Sequence, residues 1–149
     1  MEIQGLPLHP LIIHAAVVLV PLAALGGLAI SLLTWARKRY GTLVVVGAFG
    51  AAVSTLGAQL SGQNFYASKE QHSPALEAHA SIGGQLLPWV ILLFAGTVVL
   101  VIAQRMLDKD LPRGRIAWIV GAVITIVTAV VSVIQVVRIG HAGSVAVWG

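Results

Sequence analysis

The sequence predicts an all-α integral membrane protein, a four-helix up-down bundle with both termini on the outer side. Three observations carry this expectation. The chain is 58% hydrophobic and 9% charged, with a mean hydropathy of +0.94, well outside the range of soluble globular domains. Four apolar stretches each approach the roughly 20 residues that a helix needs to cross a hydrocarbon core about 30 Å thick. None of them alternates with period two, and only helices or closed barrels satisfy their backbone in lipid. Finally, seven of the nine Lys and Arg residues fall into two connecting segments that this threading places on one side, the distribution expected of cytoplasmic loops.

The first span covers about residues 10–33 and opens with "LHPLIIH". The preceding "MEIQGLPL" carries Glu2 and no cation, so it lacks the basic n-region of a secretory signal and the segment is expected to be retained. The short link "TWARKRYG", with Arg37, Lys38 and Arg39, leads to a second span at about 42–60. That span is rich in small residues (Gly47, Gly50, Ala51, Ser54, Gly57, Ala58), a pattern that lets helices approach closely inside a bundle. The longer "SGQNFYASKEQHS" precedes a third span at about 74–104, whose first turns stand above the membrane. Trp89, beside Pro88, is expected to pack across a proline kink in it. The link "RMLDKDLPRGR" carries Arg105, Lys109, Arg113 and Arg115 and leads to the fourth span at about 116–137. Short links favour antiparallel neighbours. Trp35 and Trp118 fall near one interface and Trp148 near the other, as membrane-belt aromatics do.

Several function classes drop out. The chain has no cysteine, which removes disulfides, thiolate zinc sites and cysteine-held iron–sulfur clusters. Its basic excess is explained by topology, and no basic groove with interleaved aromatics remains for nucleic acid. No acid lies deep in a span and no pair of spans is interrupted, so a transporter is disfavoured. No serine–histidine–acid triad or nucleophile elbow is present.

With this topology all five histidines (His9, His14, His72, His79 and His141) collect at the outer end. Ionisable groups in or near a span are costly and usually functional. Pro10 and Pro74 suit first helical turns; His14 and His79, four and five residues later, are expected about 6 to 8 Å down parallel helices. Those helices lie diagonally in an up-down bundle, roughly 12 to 14 Å apart, a gap that suits a flat macrocycle held between two imidazoles. His9 and His14 project about 140° apart on an ideal helix, so His9 reads as a rim or cap group. His72 lies in the long loop and reads as solvated. His141 reads as a second axial ligand, a proton carrier or a helix cap. With Gln135 and Arg138 it forms a polar stripe in which Arg138 is either a propionate partner or a snorkelling side chain.

The combination of "LHPLIIH", "SGQ", "LEAHASIG" and "RIGHAGSVAVWG" resembles a bacterial membrane family catalogued as domain of unknown function 2231, common in actinobacteria. The resemblance spans essentially the whole chain. It implies a four-span membrane protein with haem binding as the ascribed role, and some members are joined to a Rieske-type domain. His9, His14, His79 and His141 occupy its motif positions and His72 does not. Gln63 departs from it, standing where many relatives carry an acid.

The resulting expectation is a multi-pass protein of the inner or plasma membrane that binds haem b through His14 and His79 and passes electrons near the outer face. In it His141 replaces one ligand or gates protons, while His9 and Arg138 line the site. Bis-imidazole ligation suits electron transfer rather than catalysis. Two alternatives stand beside it. One is a copper or zinc site built from His14, His79 and His141 with His9; the other is a non-catalytic subunit that contacts a redox partner or assembles as an oligomer.

Overall fold

A computed structural model describes residues 2–3, 6–67 and 74–148, with side-chain surroundings for 12–64, 74, 77 and 81–144. A short antiparallel ribbon pairs β1 (Glu2–Ile3) with β2 (Leu6–Pro7). Five helices follow: α1 (Leu8–Leu32), α2 (Thr34–Ala67), α3 (Pro74–Gly83), α4 (Leu86–Leu107) and α5 (Gly114–Trp148). Four stretches are long and apolar enough to cross a membrane: Ile12–Leu32, Thr34–Asn64, Ser81–Leu107 and Gly114–Ser144. The all-helical four-span architecture expected from the sequence is present.

α1 packs against α2 and α5, α4 packs against the same two helices, and α1 meets α4 across the centre. Contacts fix the directions. Across α1 and α2, Val44 lies beside Gly26 and Ile12 beside Gly57, so these helices are antiparallel. Thr125 of α5 lies beside both Gly27 of α1 and Gly96 of α4, while Arg37, near the start of α2, bonds Gln104, near the end of α4. One end of the bundle therefore gathers the basic links. The other gathers the start of α1, the end of α2, all of α3 and the end of α5.

Four boundaries differ from the expected ones. The segment expected as a loop at 34–41 is the first two turns of α2, separated from α1 by Leu33 alone. α2 also runs on to Ala67 and α5 to Trp148, beyond the expected ends of the second and fourth spans. The third span is two helices joined at Gly84–Gln85. Pro88 explains that break, because it has no N–H for the Gly84 carbonyl four residues back and its ring would clash with it. Gln85 N–H closes the joint on Ile82 O at 3.1 Å. Pro88 thus occupies the first turn of α4, where a missing N–H costs nothing, rather than kinking a continuous span.

The core is narrow. Val20, Val90, Leu93, Ala48, Ala51 and Ala129 are buried at its centre, and small residues let the backbones close around them. A Cβ on Gly27 would lie 2.8 Å from Thr125 Cγ2, and one on Gly96 only 2.5 Å from Thr125 Oγ1 and 3.1 Å from its backbone N. Of the small residues in α2, Ala51 joins this core. Gly47 has no neighbour within 4 Å of a Cβ, and Gly50, Ser54 and Gly57 line an apolar groove of about 490 Å³ between α1 and α2. Part of the expected packing face therefore opens outward. Gly96→Ala is expected to lower stability by about 1–3 kcal/mol through overpacking. Gly47→Ala, on open helix surface, should be neutral or stabilise by up to about 1 kcal/mol. Thermal unfolding of the two variants in the same detergent checks the contrast.

The basic end is closed by Arg37, which is 5% exposed. It donates through Nε to Gln104 Oε1 at 2.8 Å and through a terminal nitrogen to Ile30 O at 2.8 Å and Ser31 O at 3.4 Å. These are carbonyls that the end of α1 leaves without intrahelical donors. The guanidinium also lies 5.5 Å from the Trp118 ring centroid, a cation–π distance. Gln104 Nε2 donates to Asp108 at 2.9 Å, and Asp108 pairs with Lys38 at 2.9 Å. Hydrogen bonds from Lys38 and Gln104 hold the Asp108 carboxyl below the usual carboxylate range. Arg37→Leu strands two carbonyls and the Gln104 amide and is expected to cost about 3 kcal/mol. Arg37→Lys, which keeps the charge without the fork, should recover part of it. Unfolding of both variants by a graded denaturing detergent measures this.

Candidate functional site

The four described histidine positions lie toward the end opposite Arg37: His9 and His14 in α1, His79 in α3 and His141 near the end of α5. His72 and the side chains of His9 and His79 lie outside the described residues. Among the described residues no group of three His, Asp or Glu side chains comes together.

Helix register separates the histidines. The buried row of α1 runs through Ala16, Val20, Ala23, Gly27 and Ile30, and position 9, seven residues before Ala16, continues it. His14 is exposed and lies in the row of Val18, Leu22 and Leu25, which are 56%, 58% and 63% exposed. In α3, Pro74, Glu77 and Ser81 are exposed and share one face, while position 79 falls on the opposite side of the helix. α3 itself packs mainly on α5. His141 and Arg138 are exposed, whereas Gln135 is buried, so the polar stripe expected on α5 crosses from the interior to the surface.

Levels along the bundle follow from the same contacts. Counting outward from the Gly27–Thr125 and Gly96–Thr125 pairs, His14 shares its level with Arg138 on α5 and with Gly83 at the α3–α4 joint. His79 lies about one helical turn before Gly83 on α3, on the far side of the Gly84–Gln85 joint. Counting outward from Gly57 and Ile12, Gln59 of α2 comes level with Pro10, next to His9.

Below this end the interior is closed. Ala16, Leu86 and Gln135 are each 6% exposed, and Val20, Val90 and Ser132 are fully buried. The described side chains pack directly on one another at that depth. Toward the end of α2, Gln59 Oε1 is buried without a hydrogen-bond partner. Deeper in α5, Ser132 Oγ and Gln135 Oε1 are likewise unpartnered. In the sequence Gln59 is one polar residue among several near the end of α2. The signal was its spacing from Arg37, Ala48 and Thr55, which puts all four in one row of α2.

Searches against family models, curated proteins and solved structures return no match.

Proposed function

We propose that this protein is a multi-pass membrane haem protein that carries electrons near the outer face of a plasma or inner membrane, with His9 and His79 as the iron ligands. The observation that carries the reading is the register of these two positions. Each position lies on a helix row away from the exposed residues of its helix, and both belong to the same end of the bundle, above a closed core. The donor chemistry fits, since imidazoles from two helices suit a low-spin b haem and the chain offers no thiolate. The group supplies one-electron exchange when bound. The protein contributes the ligands, an apolar floor of Ala16 and Leu86, and exclusion of water from below. Exposed His14, His141 and Arg138 are rim groups in this reading, placed to meet a carboxylate or a redox partner such as a Rieske-type protein.

In a reduced-minus-oxidised absorption spectrum of the purified protein, a sharp Soret band and split visible bands are expected. His9→Ala and His79→Ala should each abolish them, and His14→Ala and His141→Ala should leave them. An iron-free protein that stays colourless after haem is added sinks this reading, and bound copper or zinc in the same sample would replace it with a metal site.

The charge distribution supports cytoplasmic placement of the basic end, with Arg39, Arg105, Lys109, Arg113 and Arg115 exposed there. The chain has no cysteine of its own, so Lys109→Cys and Glu77→Cys report the sides directly. A membrane-impermeant thiol reagent applied to intact cells is expected to label Glu77→Cys and spare Lys109→Cys; the opposite pattern reverses the orientation.

A second reading is favoured by the groove between α1 and α2, whose small-residue wall suits packing against another transmembrane helix. In it the protein is a non-catalytic subunit of a membrane complex. A colourless protein that runs as part of a larger assembly in mild detergent would favour it.

A further inference from the structure

The basic end is one surface built from two segments far apart in sequence. Lys38 pairs with Asp108 at 2.9 Å and Arg37 bonds Gln104 at 2.8 Å, so the start of α2 is tied to the end of α4. The link after α4 is folded on itself. Lys109 and Leu111 N–H both donate to Met106 O, at 3.2 and 3.0 Å, Asp110 N–H donates to Leu107 O at 3.1 Å, and Gly114 N–H to Leu111 O at 3.0 Å. Asp110 takes a left-handed φ of 52° to make this turn. A Cβ on Gly114 would lie 3.0 Å from Leu107 N, so α5 starts directly against the end of α4. Lys109, Arg113 and Arg115 are therefore presented from an ordered turn.

Arg39, Arg105, Lys109, Arg113 and Arg115 are exposed, and none of them is in an ion pair among the described residues. Of the two acids at this end, Asp108 is taken by Lys38, which leaves Asp110 against five uncommitted cations. The preference of cations for one side of a membrane accounts for their side; it does not require that two links be locked into a single face. The aromatics give the depth of that face. Trp35 and Tyr40 are 62% and 41% exposed and meet edge-on at 6.1 Å, as amphipathic rings do at the level of lipid headgroups. The Arg39 guanidinium lies 5.7 Å from the Tyr40 ring centroid, which holds it at that level. Guanidinium forks match phosphate oxygens in pairs. We propose that the basic end docks the phosphodiester headgroups of anionic phospholipids, with Arg39 on one side of the face and Lys109, Arg113 and Arg115 on the other. This docking is independent of any ligand at the opposite end of the bundle.

The experiment adds equal amounts of phosphatidylglycerol and phosphatidylcholine to the purified full chain in detergent and counts the retained lipids by native mass spectrometry. Phosphatidylglycerol is expected to be retained about tenfold over phosphatidylcholine, because each basic side chain near the surface adds to its attraction. The combined variant Lys109→Gln, Arg113→Gln, Arg115→Gln should bring the two lipids close to parity, whereas Arg138→Gln, at the opposite end, should keep the preference. Lipid is added after purification, so the result does not depend on which way a variant inserts in cells. If the combined variant does not fold, wild type still decides the matter: raising the salt from about 0.05 to about 0.5 M should weaken the preference several-fold, since exposed charges are screened. Equal retention of the two lipids by wild type overturns the proposal, as does a preference that survives both the combined variant and high salt. Inorganic phosphate that displaces phosphatidylglycerol at equal concentration also overturns it and assigns the face to a free anion.

Discussion

Arg37 turns the chain around. A helix that ends inside or at the edge of a membrane leaves carbonyls without donors, and loops long enough to bring donors back are usually polar and wet. Here the donor is a guanidinium one turn into the next helix, bonded to Ile30 O and Ser31 O, so α1 and α2 need only Leu33 between them. A reversal that short fixes the register of the pair along its whole length. Val44 sits beside Gly26, Leu19 beside Gly50 and Ile12 beside Gly57. The level at which the end of α2 meets the start of α1 is therefore set at the far end of the bundle, by the cation that closes it.

The same accounting explains the interior. Ser31 donates to Gly27 O, Thr55 to Ala51 O and Thr128 to Ile124 O, each at 2.7 Å, so these hydroxyls are satisfied by carbonyls of their own helices and no water is needed between helices. Thr125 is different. Its oxygen has no hydrogen-bond donor or acceptor partner and lies where Gly96 lacks a Cβ, a site of close backbone approach. With glycine or alanine at many of the crossing points, the helices come together over a thin core.

The number of spans, their antiparallel order and the gathering of histidines at one end were legible in the sequence, because length, link size and charge placement each constrain them. The phase of the helices was not read. Apolar side chains cover every face of α1, with Val18, Leu22 and Leu25 outside and Val20 and Ile30 inside, so hydrophobic periodicity does not say which face is interior. In a membrane the marker is inverted: buried rows are betrayed by small and polar residues such as Ala16, Gly27 and Ser31 in α1, Arg37, Thr55 and Gln59 in α2, or Thr125 and Ser132 in α5. Read that way, the sequence already distinguishes position 9 from His14. The helical character of "TWARKRYG" was hidden for a related reason, since a run of cations reads as a loop until one of them is seen to be a cap.

The two ends of the bundle differ in how their polar groups are matched. At the basic end the Arg37 guanidinium, the Gln104 amide and the Asp108 carboxylate form a chain of satisfied bonds that ends in Lys38. The indole N–H of Trp118, beneath the same guanidinium, is buried there without a partner. At the opposite end the described acceptors on Gln59 and Gln135 are in deficit, and histidine positions, each a donor as well as a ligand, lie close by in the fold. The unmatched groups thus differ in kind, a buried donor on Trp118 at the basic end and buried acceptors on Gln59 and Gln135 toward the end where the histidine positions gather.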